Sequence, residues 1–282
     1  MIERIRFGSC LSVLAGAAVL AAATGCGSDA SSGDPTTSDA SSGDDRSESI
    51  EAAASRLDGR YAHYDVVAYD SPEMKTLIIS YGFTDLEEQD GELIATESFC
   101  TSEHRSDLPI EVQMSDAATS AIKPVPTPVT LAEVDGTVHL SRPTTPTGIG
   151  IHLEDPANDP LPTDPNDPRI ADDDHDGNPG VTAHITAGGG LEGDLFIARR
   201  EIFAYEVDEQ DDGSLTGEVI DDSEQLIIGA TNPAFLAQED WEQYDDPSKS
   251  PIILIPVGDD WDCDRLVAER DTLFPPTPEV DW

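Results

Sequence analysis

From residue 57 onward, short apolar segments rich in β-branched and aromatic residues alternate with Gly, Asp and Pro, and this pattern constrains the fold most. Such apolar residues favour half-buried strands, whereas Gly, Pro, Asn and Asp favour the turns between them. The pairs Asp135-Gly136 and Asp212-Gly213 and the three glycines at 188–190 lie where tight hairpins need them. We predict strands at 61–69, 75–83, 91–100, 109–115, 128–134, 136–141, 147–153, 180–187, 193–207, 214–220 and 224–230.

Consecutive strands joined by short turns pair antiparallel. The predicted fold class is therefore all-β, a single antiparallel meander closed as a barrel or packed as a sandwich, because either arrangement hides the sheet edges. The segment 252–257 is expected to be a buried strand or to cross the base of a barrel. Two helices are predicted: 233–243, capped by Asn232, and a short C-terminal helix over 263–270, capped by Asp262.

The N-terminal segment has the organisation of an export signal. Residues 1–6 carry two arginines, residues 11–23 are apolar but too few to span a bilayer, and small residues precede Cys26. This resembles the lipobox of bacterial lipoproteins, although Ala23 occupies the position of the usual leucine. The resemblance implies cleavage before Cys26 and attachment of a diacylglycerol to its sulfur. The alternative is an ordinary cleaved signal peptide followed by an incidental cysteine.

The lipobox resemblance also implies a location. It predicts a cell-envelope protein whose membrane partner is reached through the lipid anchor, facing the periplasm or the exterior. Gly27, rather than an aspartate, follows the cysteine, and by analogy with known lipoproteins this favours the outer membrane in a cell that has one.

The chain divides by composition into four parts. The heptapeptide SDASSGD occurs at 28–34 and again at 38–44, which is typical of a flexible acidic linker. The predicted parts are a signal peptide at 1–25, a lipidated cysteine with a disordered tether at 26–56, a β-domain at 57–273 with a long acidic loop at 154–179, and a Pro-rich tail at 274–282.

The formal net charge of the chain is −43. A field of this sign repels nucleic acid and acidic substrates and concentrates cations, so we exclude a nucleic-acid partner.

Beyond Cys10 and Cys26, the remaining cysteines are Cys100 and Cys263. Because an exported chain meets an oxidising compartment, we predict a disulfide between them, the alternatives being free thiols or a shared metal site.

The acidic loop contains a candidate metal site. Asp172, Asp174 and Asp176 alternate and are followed by Gly177, which resembles the first half of an EF-hand loop, D-x-D-x-D-G. Ca²⁺ takes hard oxygen ligands at alternate positions and needs a glycine at the sharp turn. Asn178 lies where the motif uses a main-chain carbonyl.

The loop also departs from the EF-hand pattern. Ala183 stands at the twelfth position, which is normally a bidentate glutamate, so the segment is closer to the aspartate-rich calcium loops of thrombospondin type 3 repeats. Asp155, Asp164 and Asp167 are the nearest candidates for missing ligands. The alternative to a Ca²⁺ site is a solvated acidic turn.

Enzyme motifs are poorly represented. Residues 120–123 satisfy S-x-x-K, but the companion S-D-N and K-T-G elements are missing, and the six histidines are scattered along the chain. No catalytic residue is predicted.

The start of the domain at 58–61 weakly resembles that of lipocalin-like barrels. We expect a non-enzymatic role, either binding a small molecule in a barrel or contributing to the cell envelope. The alternative is an exported hydrolase whose catalytic residues are distant in sequence.

Overall fold

The computed structural model describes residues 42–236 and 241–281. The predicted signal peptide, Cys10, Cys26 and the first part of the predicted tether lie outside the described residues. Among the helices that are described, none is both long enough and apolar enough to cross a membrane.

The described residues form fourteen strands and three α-helices. The helices are α1 (Ser42–Leu57), α2 (Asp116–Ser120) and α3 (Cys263–Leu273). The strands are β1 (Gly59–Asp70), β2 (Lys75–Gln89), β3 (Glu92–Ser106), β4 (Ile110–Met114), β5 (Thr127–Val134), β6 (Thr137–Arg142), β7 (Thr147–Ile149), β8 (Val181–Ala187), β9 (Leu191–Glu201), β10 (Phe203–Glu209), β11 (Leu215–Asp221), β12 (Glu224–Ala230), β13 (Glu242–Gln243) and β14 (Pro251–Val257).

Eight of these strands form a closed antiparallel barrel in the order β1, β2, β3, β5, β6, β10, β11, β14, and β14 returns to β1. The all-β prediction is confirmed, and of its two forms the barrel is the one adopted. The segment at 252–257 is one of the barrel strands, since β14 pairs with both β1 and β11. The short β13 adds to the far end of β1, where Tyr69 pairs with Gln243.

The remaining strands form a second sheet in the order β12, β9, β8, β4, with β7 also paired to β9. One long hairpin contributes to both sheets. Its first arm, predicted as one strand at 193–207, bends at Ile202, and its second arm, predicted as two strands at 214–220 and 224–230, bends at 222–223. As a result, β10 and β11 belong to the barrel, whereas β9 and β12 belong to the second sheet. The backbone nitrogen of Ile202 donates to Ser223 Oγ at this bend.

The barrel has a buried surface on both sides of β1. Tyr61, Val67 and Tyr69 belong to the interior core, whereas Ala62 and Tyr64, on the opposite face, pack under the C-terminal segment. The alternation of side chains along a strand explains why a continuous apolar run serves two cores.

Helix α1 corrects the predicted boundary of the tether. The sequence placed disordered chain through residue 56, but the helix spans Ser42–Leu57, and Ala54 and Leu57 are buried in the barrel core. Arg56 forms an ion pair with Glu209, with 2.6 Å between Nη2 and Oε2. Alanine-rich sequence at 52–54 favours helix and gives it a small apolar face, a signal masked by the surrounding Ser and Asp residues.

Helix α3 confirms the predicted C-terminal helix. Asp262 caps it by accepting from the backbone nitrogen of Arg265, and Cys263 in its first turn forms the predicted disulfide with Cys100 of β3, with the Cα atoms 5.4 Å apart. The bond holds α3 on the outer face of the barrel. The following segment stays on the same face, where Phe274 stacks on Tyr64 with ring centroids 5.2 Å apart.

The helix predicted over 233–243 begins where expected but is wrong in type and in extent. Asn232 does cap a turn, but the turn is a 3₁₀ helix that ends at Phe235, and Glu242–Gln243 is the strand β13. Gln243 bonds through its side chain to the backbone of β11, accepting from Asp221 N and donating to Val219 O. These bonds to a neighbouring strand outweigh local helix propensity.

Candidate functional site

A cavity of about 310 Å³ lies between the second sheet and the ends of β1, β2 and β3. Its volume is at the lower end of the range for small-molecule sites. The odd-numbered residues of β9 and β10 face inward on both sides of the bend at Ile202. Before the bend, Leu195 and Ile197 line the cavity, and after it, Tyr205 and Val207 belong to the barrel core. The cavity wall is therefore continuous with the barrel interior.

The walls of the cavity are mostly apolar, and aromatic and sulfur-containing side chains are prominent among them. Trp241 and Phe235 belong to the segment that follows β12, on either side of the residues that are not described. The apolar members include Val67, Ile78, Phe99, Met114, Ala183 and Leu195.

Two polar side chains of β3 interrupt the apolar wall. Ser102 and His104 are two residues apart and so share one face of the strand, where they lie opposite Ser80 and Ile78 of β2. Within the described part of the chain, Ser102 Oγ and both ring nitrogens of His104 are buried and have no hydrogen-bond partner. Buried polar atoms without partners are rare in folded proteins, and each such group costs about 1–3 kcal/mol.

His104 is held in its neutral form. Burial, and to a lesser degree the positive charge of Arg199, lowers the pKa of His104 to about 4. The imidazole at neutral pH therefore has one N–H donor and one nitrogen acceptor, and both nitrogens are buried at the cavity wall.

Arg199 lies on the cavity wall within a network of buried charges. It pairs with Glu201, donates to the Tyr69 hydroxyl at 2.8 Å, and lies 3.7 Å from Asp221 Oδ2. Tyr69 in turn donates to Asp221 at 2.7 Å. Burial raises the pKa of Glu201 in spite of the nearby guanidinium. Every charge-bearing group of this network thus already has a protein partner.

A second polar network runs inside the barrel. His63 bridges Thr84 and Asp65, with 2.7 Å from Nδ1 to Thr84 Oγ1 and 2.7 Å from Nε2 to Asp65 Oδ2. Hydroxyl, imidazole and carboxylate follow one another in the order of a catalytic triad. However, His63 and Thr84 have no exposed surface, and only Asp65 of the three reaches the cavity wall. A neighbouring pair, Arg142 and Glu97, is also buried and bidentate.

The acidic loop brings Asp172, Asp174 and Asp176 together. Each offers a carboxylate oxygen, and these three oxygens lie within 4.8 Å of one another. Gly177 has a φ of +88°, as expected for the sharp turn after the last aspartate. The loop is tied to β8, because Thr182 donates from its backbone nitrogen to Asp174 and from its hydroxyl to Asp176.

Asp174 is the buried member of this triad. Its side chain accepts the Thr182 N–H through Oδ2, but Oδ1 is buried without a hydrogen-bond partner among the described residues. The residue is 8% exposed, whereas Asp172 and Asp176 are exposed. Burial raises the pKa of Asp174, and the negative charges of Asp176 and Asp172 raise it further.

The other predicted ligands are arranged differently. Asn178 contacts Asp176 through donors, its backbone and side-chain N–H groups, rather than through its carbonyl. Asp155 binds Asn158, Asp164 binds Asn166, and Asp167 forms an ion pair with Arg169, so these three carboxylates stabilise other turns of the loop.

Comparisons with protein-family models, with curated proteins and with solved structures find no match to this chain.

Sequence reasoning missed the cavity residues His104, Arg199 and Glu201. The signal that marks them is a polar side chain at an inward position of a strand that is otherwise apolar. To recognise this signal, one must know the strand register, that β3 continues beyond the barrel, and that β9 belongs to the second sheet.

The burial of a neutral imidazole makes a prediction about stability. Because the native pKa of His104 is below the unfolded value, the unfolded chain binds a proton first as the pH falls, and stability is lost between pH 6.5 and about 4. We expect His104→Phe to lose about 2–3 kcal/mol less of its unfolding free energy over this interval than the wild type. Urea unfolding at a series of pH values measures this, and parallel curves for the two proteins would contradict it.

Proposed function

We propose that this protein is a non-enzymatic binding protein that takes a small, mostly apolar molecule into the cavity between its barrel and its second sheet. The observation that carries the proposal is the cavity itself, about 310 Å³ with an apolar wall. Small-molecule sites are typically concave and apolar, with a few placed polar groups. Ser102 and His104, buried without partners, fit the role of those polar groups.

The exported hydrolase stays the alternative prediction. The row formed by Thr84, His63 and Asp65 has suitable chemistry, but Thr84 and His63 do not line the cavity, so the hydroxyl has no access to a substrate bound there. Glu201 lies on the cavity wall, yet its carboxylate is bound to Arg199. A proton-transfer group must reach the substrate within hydrogen-bond distance, so these contacts favour binding over catalysis.

We also propose that Asp172, Asp174 and Asp176 bind Ca²⁺. Three carboxylate oxygens within 4.8 Å repel one another without a cation, and the buried Oδ1 of Asp174 lacks any other partner among the described residues. A hard divalent cation satisfies that oxygen and removes the repulsion. The ion would also stabilise β8, whose Thr182 binds two of the aspartates and whose flanking residues line the cavity.

The proposed location is the cell envelope, with the chain anchored to a membrane through a lipid on Cys26. Support comes from the export signal and the small residues before that cysteine. An anchored binding protein presents its ligand site to the solvent while remaining at the cell surface or in the periplasm.

The first test fills the cavity. The neutral fluorescent probe N-phenyl-1-naphthylamine should brighten on binding to the wild type, because the apolar wall excludes water. Ala183 lies in the middle of β8 between Met114 and Leu195, so Ala183→Phe should fill the space and abolish the fluorescence increase.

The matched control is Val134→Phe, which adds an aromatic ring at a position that is 57% exposed, pairs with Thr137 at the end of a hairpin and does not line the cavity. It should bind the probe as the wild type does. Equal binding by Ala183→Phe, with an unchanged melting temperature, would show that the probe binds elsewhere.

The second test addresses calcium. Asp174→Asn with Asp176→Asn keeps the side-chain shapes but removes two charges. At 1 mM Ca²⁺ and a Kd of about 0.1 mM, the wild type should gain about 1.4 kcal/mol of stability, and the double variant should gain almost none. Calorimetry in high, fixed salt measures this, because the salt screens diffuse counterion effects.

The control for calcium is Asp211→Ala with Asp222→Ala, which removes two exposed carboxylates elsewhere. It should respond to Ca²⁺ as the wild type does. If all three proteins gain equally, the gain is general charge neutralisation and the loop is a solvated acidic turn.

The third test addresses the anchor. Cys26→Ser should move the protein from the detergent phase to the aqueous phase on partitioning, because a lipid is the membrane-binding element that the sequence predicts. Cys10→Ser serves as the control and should stay in the detergent phase. Retention of Cys26→Ser in detergent would refute the lipoprotein proposal.

A further inference from the structure

We infer that the ligand is an uncharged, mostly apolar molecule that carries a hydroxyl or carbonyl group, and that this group bonds to His104 and Ser102. The inference rests on the proposed function of the cavity and adds the chemical class of its ligand. Its starting point is that the polar atoms without partners lie together on one strand face, whereas the charged groups of the cavity wall are already paired.

The unpaired atoms define what the ligand must supply. His104 and Ser102 are neighbours on the inward face of β3, and Ser80 lies directly opposite Ser102 on β2. The neutral imidazole has one donor and one acceptor nitrogen, and a serine hydroxyl can donate or accept. A ligand hydroxyl can donate to one of these groups and accept from another, and a carbonyl can accept from either. Such a ligand relieves the cost of burying these atoms without partners.

The charged groups of the wall argue against an ionic ligand. Apart from the neutral His104, Arg199 is the one basic side chain among the described lining residues, and it is bound by Glu201, Tyr69 and Asp221. An anion would have to displace these partners and would be repelled by Glu201. A cation at His104 would be repelled by Arg199, which is close enough to depress the protonation of that imidazole. Burying an unpaired charge in an apolar wall is also costly.

The size and composition of the wall indicate the shape of the apolar part. An apolar cavity of about 150 Å³ holds one benzene molecule, so a cavity of about 310 Å³ suits a molecule of two or three rings. Phe99, Phe203, Phe235 and Trp241 offer ring faces and edges for aromatic contacts. Met74 and Met114 add polarisable sulfur atoms that adapt to a ring.

The test uses four naphthalene compounds of similar size as competitors of bound N-phenyl-1-naphthylamine at pH 7. They are naphthalene, 2-naphthol, the anion 2-naphthoate and the cation 2-naphthylmethylammonium. We expect 2-naphthol to bind about tenfold more tightly than naphthalene, which corresponds to about 1.4 kcal/mol and to one hydrogen bond. Both ions should bind more weakly than 2-naphthol.

Variants of His104 assign the preference to a residue. His104→Phe keeps a ring of similar shape but removes both nitrogens, so the ratio of its affinities for 2-naphthol and naphthalene should fall to about one. His104→Gln keeps a donor and an acceptor and should retain part of that preference. Ser102→Ala should reduce it.

The outcomes separate this inference from the proposed function. Failure of all four compounds and of the fluorescent probe would reject the cavity as a binding site. Binding of naphthalene and 2-naphthol with equal affinity would leave the cavity as a site but overturn the inference about the ligand. Tightest binding of either ion, or an undiminished preference for 2-naphthol in His104→Phe, would overturn it as well.

Discussion

The closure of the barrel depends on the two-sided pairing of β1. This strand pairs with β2 from Gly59 to Asp70 and, on its other edge, with β14 from Arg60 to Asp65. Without the second pairing, β1 and β14 would both present open edges, which attract other chains. The same pairing explains why β14, close to the end of the chain, is needed for the first strand to be complete. Beyond Asp65 the β14 edge of β1 is no longer covered by that strand, and it is here, where β1 leaves the closed part of the barrel, that the cavity begins.

Charged side chains in the interior would be expected to weaken such a fold, yet this barrel has several. Arg142 and Glu97 are each 5% exposed and are joined by two hydrogen bonds, and Arg142 also donates to the carbonyl of Phe203. Partnered in this way, the charges avoid most of the penalty for an isolated buried ion. Their geometry also fixes the mutual register of β3, β6 and β10, since each strand contributes to the cluster. By contrast, Ser102 and His104 have no such partners, and this difference separates the structural polar groups from the candidate ligand groups.

Much of the fold follows from the sequence alone. Alternating apolar positions, hairpin turns such as Asp135-Gly136 and the remaining cysteine pair are local signals. They predicted most strands, an antiparallel meander closed as a barrel or packed as a sandwich, the C-terminal helix and the disulfide. The division into two sheets did not follow, because the bend at Ile202 leaves the apolar alternation unbroken. Helix α1 was missed because alanines make up most of its buried face and Ser and Asp residues surround them in the sequence. The acidic triad was recognised from spacing, whereas the cavity is assembled from elements that are distant in sequence and carry no local motif.

The position of α1 shows that the two ends of β1 have different roles. The helix packs its last turn into the barrel core beside the start of β1, whereas the cavity is lined from Asp65 to the far end of that strand. The distance along the strand from Leu57 to Asp65, the first residue of β1 that lines the cavity, is about 26 Å at the usual rise per residue. The last turn of α1 and the cavity therefore occupy opposite ends of the same strand. One end of β1 thus completes the packing of the barrel core, and the other end is left for the cavity.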